Sequence, residues 1–470
     1  MGHRIGENRE QGFLFPVSLD ELVEADSLVR VIDAWATGLD TKKLGFAKAQ
    51  TQHRGAPPYD PADLLKLYLW GYLNAVRSSR RLERECQRNV ECMWLLRRLA
   101  PDHKTIAEFR RLNADALVAT CAYFIQFARE QRLIGGLTVA VDGTKLRAVS
   151  SRKTVVSQRQ LKEQAKKNLQ EIAAYMKVLD EQDSKETSGC KPEDVRAALE
   201  QLKTRGAAIE EQLQQLKEAG VKTLVKSEPE AQAMYSLQGA PGYNLQTAVE
   251  AESHLIVHHE LNSEANDQRQ LKSMAEGASR VLGSPCIAVA DAGYANGEQI
   301  AALDDQNITT YVAENRAVNN NGLLDRRAFS FDAEQDRFTC PQGNELRRKR
   351  ISIQNQAIVY EASPKDCGSC PIKGSCTNAA KRSVTRHLHE EALVGAAERV
   401  KAHPEMMDLR RQVVEHPFAD LKHRILGNAR LLMRGIRGAT GEISMAVLVY
   451  NIKRVFNMKG GAWMHQALQA

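Results

Sequence analysis

Apolar residues recur every three or four positions along the first quarter of the chain, which is the spacing of amphipathic helices. The stretch 60–76, DPADLLKLYLWGYLNAV, follows this pattern after an Asp60 cap and a Pro61 in the first turn. The segment 101–113, PDHKTIAEFRRLN, is capped by Asp102 and carries a basic surface. Residues 1–130 are therefore predicted to form an all-α domain, in which this last helix either enters a DNA groove or belongs to an ordinary helical bundle.

Short apolar runs bounded by turn residues then alternate with helical patterns. The pattern predicts strands at 137–142, 243–249, 254–261, 286–290 and 309–313, and helices at 267–282 and 297–306. This order predicts a mixed sheet with helices on its faces, an α/β core.

A long charged stretch from about 155 to 218 interrupts this core after its first strand. Its apolar residues keep coiled-coil spacing in two arms, with Gly206 at one seam position. The seam residues are Leu169, Ile172, Met176 and Leu179 in the first arm, and Val195, Leu199, Leu202, Ile209, Leu213 and Leu216 in the second. The polar DSKETSGCKPED between the arms predicts an antiparallel helical hairpin, which would space or dimerise the molecule.

Length and composition set the broad class. With 470 residues, the chain is long enough for two or three domains, and no run of 18 apolar residues predicts a membrane span. The polar start, MGHRIGENREQ, lacks the apolar stretch of a signal peptide, so we expect a cytoplasmic protein.

The net charge of +7 is modest, but the basic residues are clustered. Three clusters stand out: RSSRRLERECQR at 77–88, LRRKR at 346–350 and HRILGNARLLMRGIRG at 423–438. Each one alone is compatible with a solvated helix face. Together they favour a polyanionic partner, since neutralising phosphates releases condensed counterions.

Four of the nine cysteines lie within residues 340–376, as CPQG and CGSCPIKGSC. Cys340, Cys367, Cys370 and Cys376 have the number and type of ligands for one structural, tetrahedral zinc. Reduced buried cysteines or a degenerate site are the alternatives.

Two apolar runs, TVAVDGTKL and CIAVADAGY, each end on an aspartate that a glycine follows within two residues. Functional groups gather where the strands of α/β sheets end, so Asp142 and Asp291 are candidate site residues. Gly143 and Gly293 would allow backbone or phosphate to come close. A plain turn or a helix cap is the alternative for either aspartate alone.

A third acid lies in RRQVVEHPFADLKHR. At about 100° per helical residue, Arg411, Glu415 and Lys422 share one face. A carboxylate between two cations suits a metal-binding acid flanked by phosphate-binding side chains, although an i,i+4 salt bridge is the simpler reading. Pro417 predicts a kink or a helix start within this segment.

These residues resemble the DDE transposases of bacterial insertion sequences, in the subgroup with a Y-x2-R-x3-E-x6-K signature. Arg411, Glu415 and Lys422 match R, E and K, and Asp408 takes the tyrosine position. VAVDGTKLRA is similar to the first-Asp strand, GYNLQTAVE to the second strand, and AVADAGYANGEQI to the second-Asp segment.

The resemblance implies an RNase H-like core in which Asp142, Asp291 and Glu415 bind two Mg²⁺ ions, with Mn²⁺ as a substitute. It also implies that Lys145, Arg411 and Lys422 contact double-stranded DNA, both terminal inverted repeats and target. A homodimer or higher oligomer on DNA, associated with the bacterial nucleoid, is expected. A sequence-specific regulator derived from such an enzyme, or a metal-dependent nuclease without strand transfer, are the competing functions.

The predicted fold is therefore an RNase H-like mixed sheet with flanking helices, preceded by an all-α domain and interrupted by a helical hairpin and a Cys-rich insertion. The predicted parts are 1–130 (helical, DNA-binding), 131–150 with 225–320 (first part of the core), 151–224 (hairpin), 321–400 (Cys-rich) and 401–470 (last part of the core, with the third acid).

Overall fold

The computed structural model describes residues 18–50, 57–183, 192–314, 322–353 and 356–469, without the side chains of 179–183 and 192–195. In these ranges, no helix has both the length and the apolar character needed to cross a bilayer.

Helices fill the N-terminal part, as their spacing predicts. They are α1 (Leu28–Thr37), α2 (Pro61–Leu73), α3 (Ser79–Arg88), α4 (Val90–Leu95), α5 (His103–Leu112) and α6 (Ala114–Glu130). Asp60 caps α2 by accepting from the Ala62 N–H at 2.8 Å, and Asp102 caps α5 by accepting from the Lys104 N–H at 2.7 Å. Both caps are the ones predicted. Helix α2 is buried on almost all sides, so it forms the centre of this region.

A mixed sheet forms the centre of the molecule. Its strands are β1 (Thr138–Arg147), β4 (Gln232–Met234), β5 (Ala240–Glu250), β6 (Ile256–Asn262), β7 (Ile287–Ala290) and β8 (Thr309–Val312), with β2 (Val155–Ser157) and β3 (Thr223–Val225) in a separate small sheet. The order is β4-β5-β1-β7-β8, and β6 pairs with β5 beside β4. Strands β5 and β6 are antiparallel neighbours, whereas β1, β7 and β8 are parallel. This topology confirms the predicted RNase H-like α/β fold.

The two faces of the sheet pack against different helices. Val139 and Val141 of β1 share an apolar cluster with α9 (Leu271–Leu282) and α10 (Gly297–Asp304). Ala140 and Leu146 point to the other side and share a larger cluster with α15 (Gly435–Lys459). The N-terminal helices belong to this same larger cluster, because α15 packs against α6 and α2. The alternation of side chains along the strand separates these two cores.

The helical hairpin lies between β2 and β3. It consists of α7 (Gln158–Asp183) and α8 (Pro192–Glu218), which pack along each other. The seam predicted for α8 is correct in Ile209 and Leu216, which are buried. The seam predicted for α7 is wrong in part, because Leu169 and Met176 are exposed. Two apolar stripes coexist on α7, and spacing alone cannot decide which one faces α8.

The inward stripe of α7 contains Leu161, Ala165 and Asn168 instead. Asn168 donates through Nδ2 to the Leu202 carbonyl at 2.9 Å. Gly206 makes room for this amide, since a Cβ there would lie 2.9 Å from the same nitrogen. The glycine is therefore a close-approach position between the two helices.

A second sheet follows β8. It contains β9 (Ser330–Asp332), β10 (Arg337–Thr339), β11 (Glu345–Ser352), β12 (Ala357–Ala362) and β13 (Ser383–His387), and α11 (Pro364–Gly368) and α12 (Lys373–Cys376) lie between β12 and β13. The order is β13-β12-β11-β10-β9, with antiparallel neighbours throughout. Its core is a small cluster of its own that includes Phe338, Tyr360 and Cys376.

The chain ends in helices that return to the main sheet. They are α13 (Glu390–Ala402), α14 (Glu405–Ala419), α15 and α16 (Gly461–Gln469). Helix α14 runs through Pro417 and continues into a π-helical turn at Asp420–Ile425. The helix begins at Glu405, so the predicted helix start at Pro417 is wrong, whereas a kink at Pro417 stays a prediction.

Candidate active site

Asp142 and Asp291 come together at the point where β7 ends. Strand β1 pairs with β7 only as far as Ala140, and Asp291 directly follows β7. Asp142 lies within β1, not at its end as predicted, because β1 continues along β5 to Arg147. Since β1 and β7 are parallel, the chain order brings both carboxylates to the same edge.

A single guanidinium nitrogen joins the two carboxylates. Arg410 Nη2 lies 2.9 Å from Asp142 Oδ2 and 3.2 Å from Asp291 Oδ2. The Arg410 side chain is 12% exposed, the Asp142 side chain 22% and the Asp291 side chain 49%. Two acid oxygens therefore converge on one positive charge in a partly buried place.

Burial dominates the electrostatics of Asp142. It raises the pKa of this carboxyl to about 6, because the charged form is poorly solvated there, while Arg410 and the Gly143 N–H act in the opposite direction. The charges of Asp291 and Asp267 raise the pKa further. A cation between the carboxylates would relieve this unfavourable concentration of negative charge.

Asp267 is a further acid at this site that the sequence analysis missed. Its Oδ1 accepts hydrogen bonds from Lys145 Nζ at 2.8 Å, Asn244 Nδ2 at 2.8 Å and Gln246 Nε2 at 2.6 Å. Asn244 and Gln246 are wholly buried within β5. Polar residues inside a buried strand need partners, so this pair was the available signal for a nearby acid.

The same network explains Gly143. A Cβ at this position would lie 2.2 Å from Gln246 Nε2 and 2.8 Å from Asp267 Oδ1. The space beside the glycine is thus filled by protein side chains, and the predicted approach of a phosphate there has no room.

Helix α14 contributes Arg410, not the predicted Arg411, to the carboxylates. Val413, Val414 and Pro417 are the buried residues of this helix. Arg410 precedes them by three, four and seven residues, so it lies on the same face of the helix. Arg411, in contrast, is exposed and ion-paired with Asp408. The apolar spacing of the helix was therefore the signal that would have selected Arg410.

Glu415 is exposed on the flank of α14. The helix packs on β1 and β7, the strands of the two aspartates, but Glu415 does not form a ready metal-binding group with them. Nowhere in the described ranges do three or more His, Cys, Asp or Glu side chains stand ready to hold a metal ion. The structure thus brings two of the three predicted acids together.

The two lysines predicted to contact DNA lie in different electrostatic environments. Lys422 lies in the π-helical turn, where burial lowers its pKa and the negative charge of Asp142 acts against that shift. The charges of Lys422 and Asp142 therefore act on each other. The side chain of Lys145 is 13% exposed and is bound to Asp267, so its charge is already compensated within the protein.

The four clustered cysteines share one corner of the second sheet. Cys340 and Cys367 pack against the apolar cluster that contains Cys376. Burial raises the pKa of the Cys376 thiol, Arg382 lowers it, and the other three cysteines raise it. Backbone N–H groups approach two of the sulfurs, Asn344 N at 3.3 Å from Cys340 Sγ and Arg382 N at 3.4 Å from Cys367 Sγ.

Helix α5, the predicted groove-binding helix, is partly a core element. Ile106, Phe109 and Arg110 are buried, and Arg110 lies over the Tyr68 ring at 5.5 Å. Lys104 and Arg111 remain exposed on its outer side. A DNA contact through this face stays a prediction.

Two protein-family models match the chain. Residues 17–112 match the model described as Transposase domain (DUF772), and residues 339–456 match the Transposase DDE domain. The second match covers Arg410, Glu415 and Lys422, whereas Asp142 and Asp291 lie between the two matches. No curated protein matches the chain significantly.

Proposed function

We propose that the chain, which belongs to the DDE-type transposases, binds the terminal inverted repeats of its insertion sequence. It would then cut the DNA there and join the ends to target DNA. The observation that carries the proposal is the convergence of Asp142 and Asp291 on one cationic nitrogen. Because one complex must hold two ends, we propose that it acts as a homodimer or higher oligomer.

The donor chemistry of the two aspartates fits a hard divalent cation. Their oxygens already bracket a positive charge, and carboxylate oxygens are the ligands that Mg²⁺ and Mn²⁺ prefer. Asp142 and Asp291 would hold the ions, and Glu415 is the proposed third ligand, on the helix that packs against both strands. A pair of such ions supplies an activated water or 3′-hydroxyl and a stabilised leaving oxygen.

The protein's own side chains orient the DNA in this proposal. Arg410 would leave the carboxylates once they hold cations, since like charges repel, and would then be free to contact a phosphate. Lys422, whose charge is influenced by Asp142, would hold the phosphate that is cut. No side chain attacks the DNA. Arg411 is the outermost of the three cations, and we propose for it a contact with the flanking backbone.

We also propose that Cys340, Cys367, Cys370 and Cys376 bind one structural zinc. The shared corner and the two N–H groups directed at sulfur support it, because thiolates accept such bonds readily. Zinc binding would have to draw the sulfurs closer together, since they do not form a metal-binding group in the described structure. A closed four-thiolate site has no open position, so this metal would take no part in DNA cleavage.

The test is cleavage of DNA that carries the inverted repeats flanking the gene. We expect Asp142→Asn, Asp291→Asn and Glu415→Gln to abolish Mg²⁺-dependent cutting and to leave DNA binding largely unchanged. Asp305→Asn is the matched control, because Asp305 is an exposed acid at the C-terminal end of α10. This variant should cut DNA normally.

Cleavage at the wild-type rate by Asp142→Asn or Asp291→Asn would contradict the assignment. The products distinguish the alternatives: joined ends identify a transposase, and cut ends without joining identify a nuclease. DNA binding by the wild-type protein without any cleavage would favour the regulator.

A further inference from the structure

Two exposed arginines, Arg147 at the end of β1 and Arg430 in the segment between α14 and α15, lie side by side. We infer that this pair is a binding surface for the phosphate backbone of DNA, separate from the carboxylates. The inference rests on the proposed function, because it assumes that the partner is DNA, and it names a contact surface that the matched families' descriptions do not.

The backbone holds the two arginines together. The Arg147 N–H donates to the Ala429 carbonyl at 3.0 Å, and the Leu431 N–H donates to the Arg147 carbonyl at 2.8 Å. Residues 429–431 thus extend the sheet as a parallel neighbour of β1, beyond the end of β7. The arginines are direct partners in this pairing, so their side chains start from adjacent positions.

Their charges are not compensated within the protein. In the part of the chain that the structure describes, neither arginine has a carboxylate within ion-pair distance, and Arg430 Nη2 donates only to the Val149 carbonyl, at 2.6 Å. Like charges placed opposite each other in a sheet are destabilising. An anion that binds between them would remove this repulsion and use the free donors.

The acids near this segment are occupied elsewhere. Glu228 accepts from the Gly435 N–H at 3.1 Å, and Glu230 accepts from the Ile436 N–H at 2.6 Å. Both carboxylates therefore bind the first turn of α15. Beyond Arg434, Arg437 is bound in bidentate fashion by Asp115, with Nε 3.0 Å from Oδ1 and Nη2 2.7 Å from Oδ2.

A buried ion pair fixes the segment before any ligand arrives. Arg77 Nη1 lies 2.9 Å from both Glu442 Oε1 and the Arg430 carbonyl, and both side chains are buried. Glu442 Oε2 accepts from the Leu432 and Met433 N–H groups at 2.8 and 2.9 Å. Because this segment is already ordered, binding would cost little conformational entropy.

The surface lies on the strand that carries Asp142. Arg147 is five residues farther along β1, roughly 17 Å at about 3.3 Å per residue. Because side chains alternate along a strand, the Asp142 and Arg147 side chains leave opposite faces of β1. The arginine pair would therefore contact a different stretch of the DNA backbone from the one held at the carboxylates.

The experiment measures binding of a fluorescent mixed-sequence duplex between about 50 and 200 mM salt. For Arg147→Ala and Arg430→Ala, we expect weaker binding and a salt slope that is smaller by roughly 1 per arginine removed. Arg147→Lys and Arg430→Lys keep the charge and should keep most of the slope. Arg437→Ala is the matched control, and its slope should equal that of the wild type.

An unchanged slope in the double variant Arg147→Ala/Arg430→Ala would overturn the inference, and so would an equal loss in Arg437→Ala. If Asp142→Asn still abolishes cleavage in that case, the proposed function stands alone. If the wild-type protein does not bind the duplex, both fail. Thermal unfolding of each variant shows whether it is folded. If Arg430→Ala is unfolded, Arg147→Ala alone tests the inference, because Arg147 is exposed.

Discussion

Arg77 and Glu442 show how a single pair of charges joins distant parts of the sequence. Arg77 follows α2 in the N-terminal part, Glu442 lies in α15, and both are buried. The pair also binds backbone groups of residues 430, 432 and 433, so most of its polar atoms are satisfied. A buried pair of this kind contributes most to the structure when both partners are present.

We expect Arg77→Ala to lower the free energy of unfolding by about 3–5 kcal/mol, because it leaves the Glu442 carboxylate buried without its cation. Urea unfolding followed by circular dichroism measures the change. The double variant Arg77→Met/Glu442→Met should be less destabilised than Arg77→Ala. A loss below about 1 kcal/mol in Arg77→Ala, the size expected of an exposed pair, would show that the ion pair is unimportant for stability.

The choice between neighbouring residues is where the sequence was least informative. The motif selected Arg411, but the buried face of α14 turns Arg410 towards Asp142 and Asp291. Asp267 carries no motif at all, and only the buried amides of Asn244 and Gln246 point to it. Contacts between residues far apart in the chain depend on strand register, which a single sequence does not contain.

At the level of elements, periodicity predicted more than motifs did. The strands and helices of the core lie where alternating and helical spacing placed them, with ends that differ by a few residues. The hairpin was predicted as an element, but the seam of α7 was not, because Leu169 and Met176 form an outward stripe. Whether the hairpin packs as a regular coiled coil stays a prediction.

The four clustered cysteines of the second sheet lead to a prediction about zinc content. Metal analysis of the purified protein should find about one zinc per chain, as one four-thiolate site requires. Cys340→Ser and Cys367→Ser should lose it, whereas Cys286→Ala, which removes a buried thiol outside the corner, should retain it. Protein prepared without chelators that contains no zinc would contradict the proposal.

For the whole molecule, the N-terminal helices and the core behave as one packed body. Helices α2 and α6 pack against α15, and the same apolar cluster reaches Leu146 and Tyr243 of the sheet. The sequence indicated an all-α domain before the core, but it could not show that the two share a hydrophobic interior. The domain boundaries within 1–150 and 401–470 therefore stay predictions.

The central claim is that Asp142 and Asp291 hold divalent cations, and it can be tested without any DNA cleavage. Mn²⁺ bound to the protein–DNA complex is counted by electron paramagnetic resonance as the metal is titrated. The wild type and the Arg437→Ala control should bind about two Mn²⁺ per chain, as a two-metal site requires. Asp142→Asn/Asp291→Asn should bind none at the same concentrations, and retention of both ions by this variant would contradict the account.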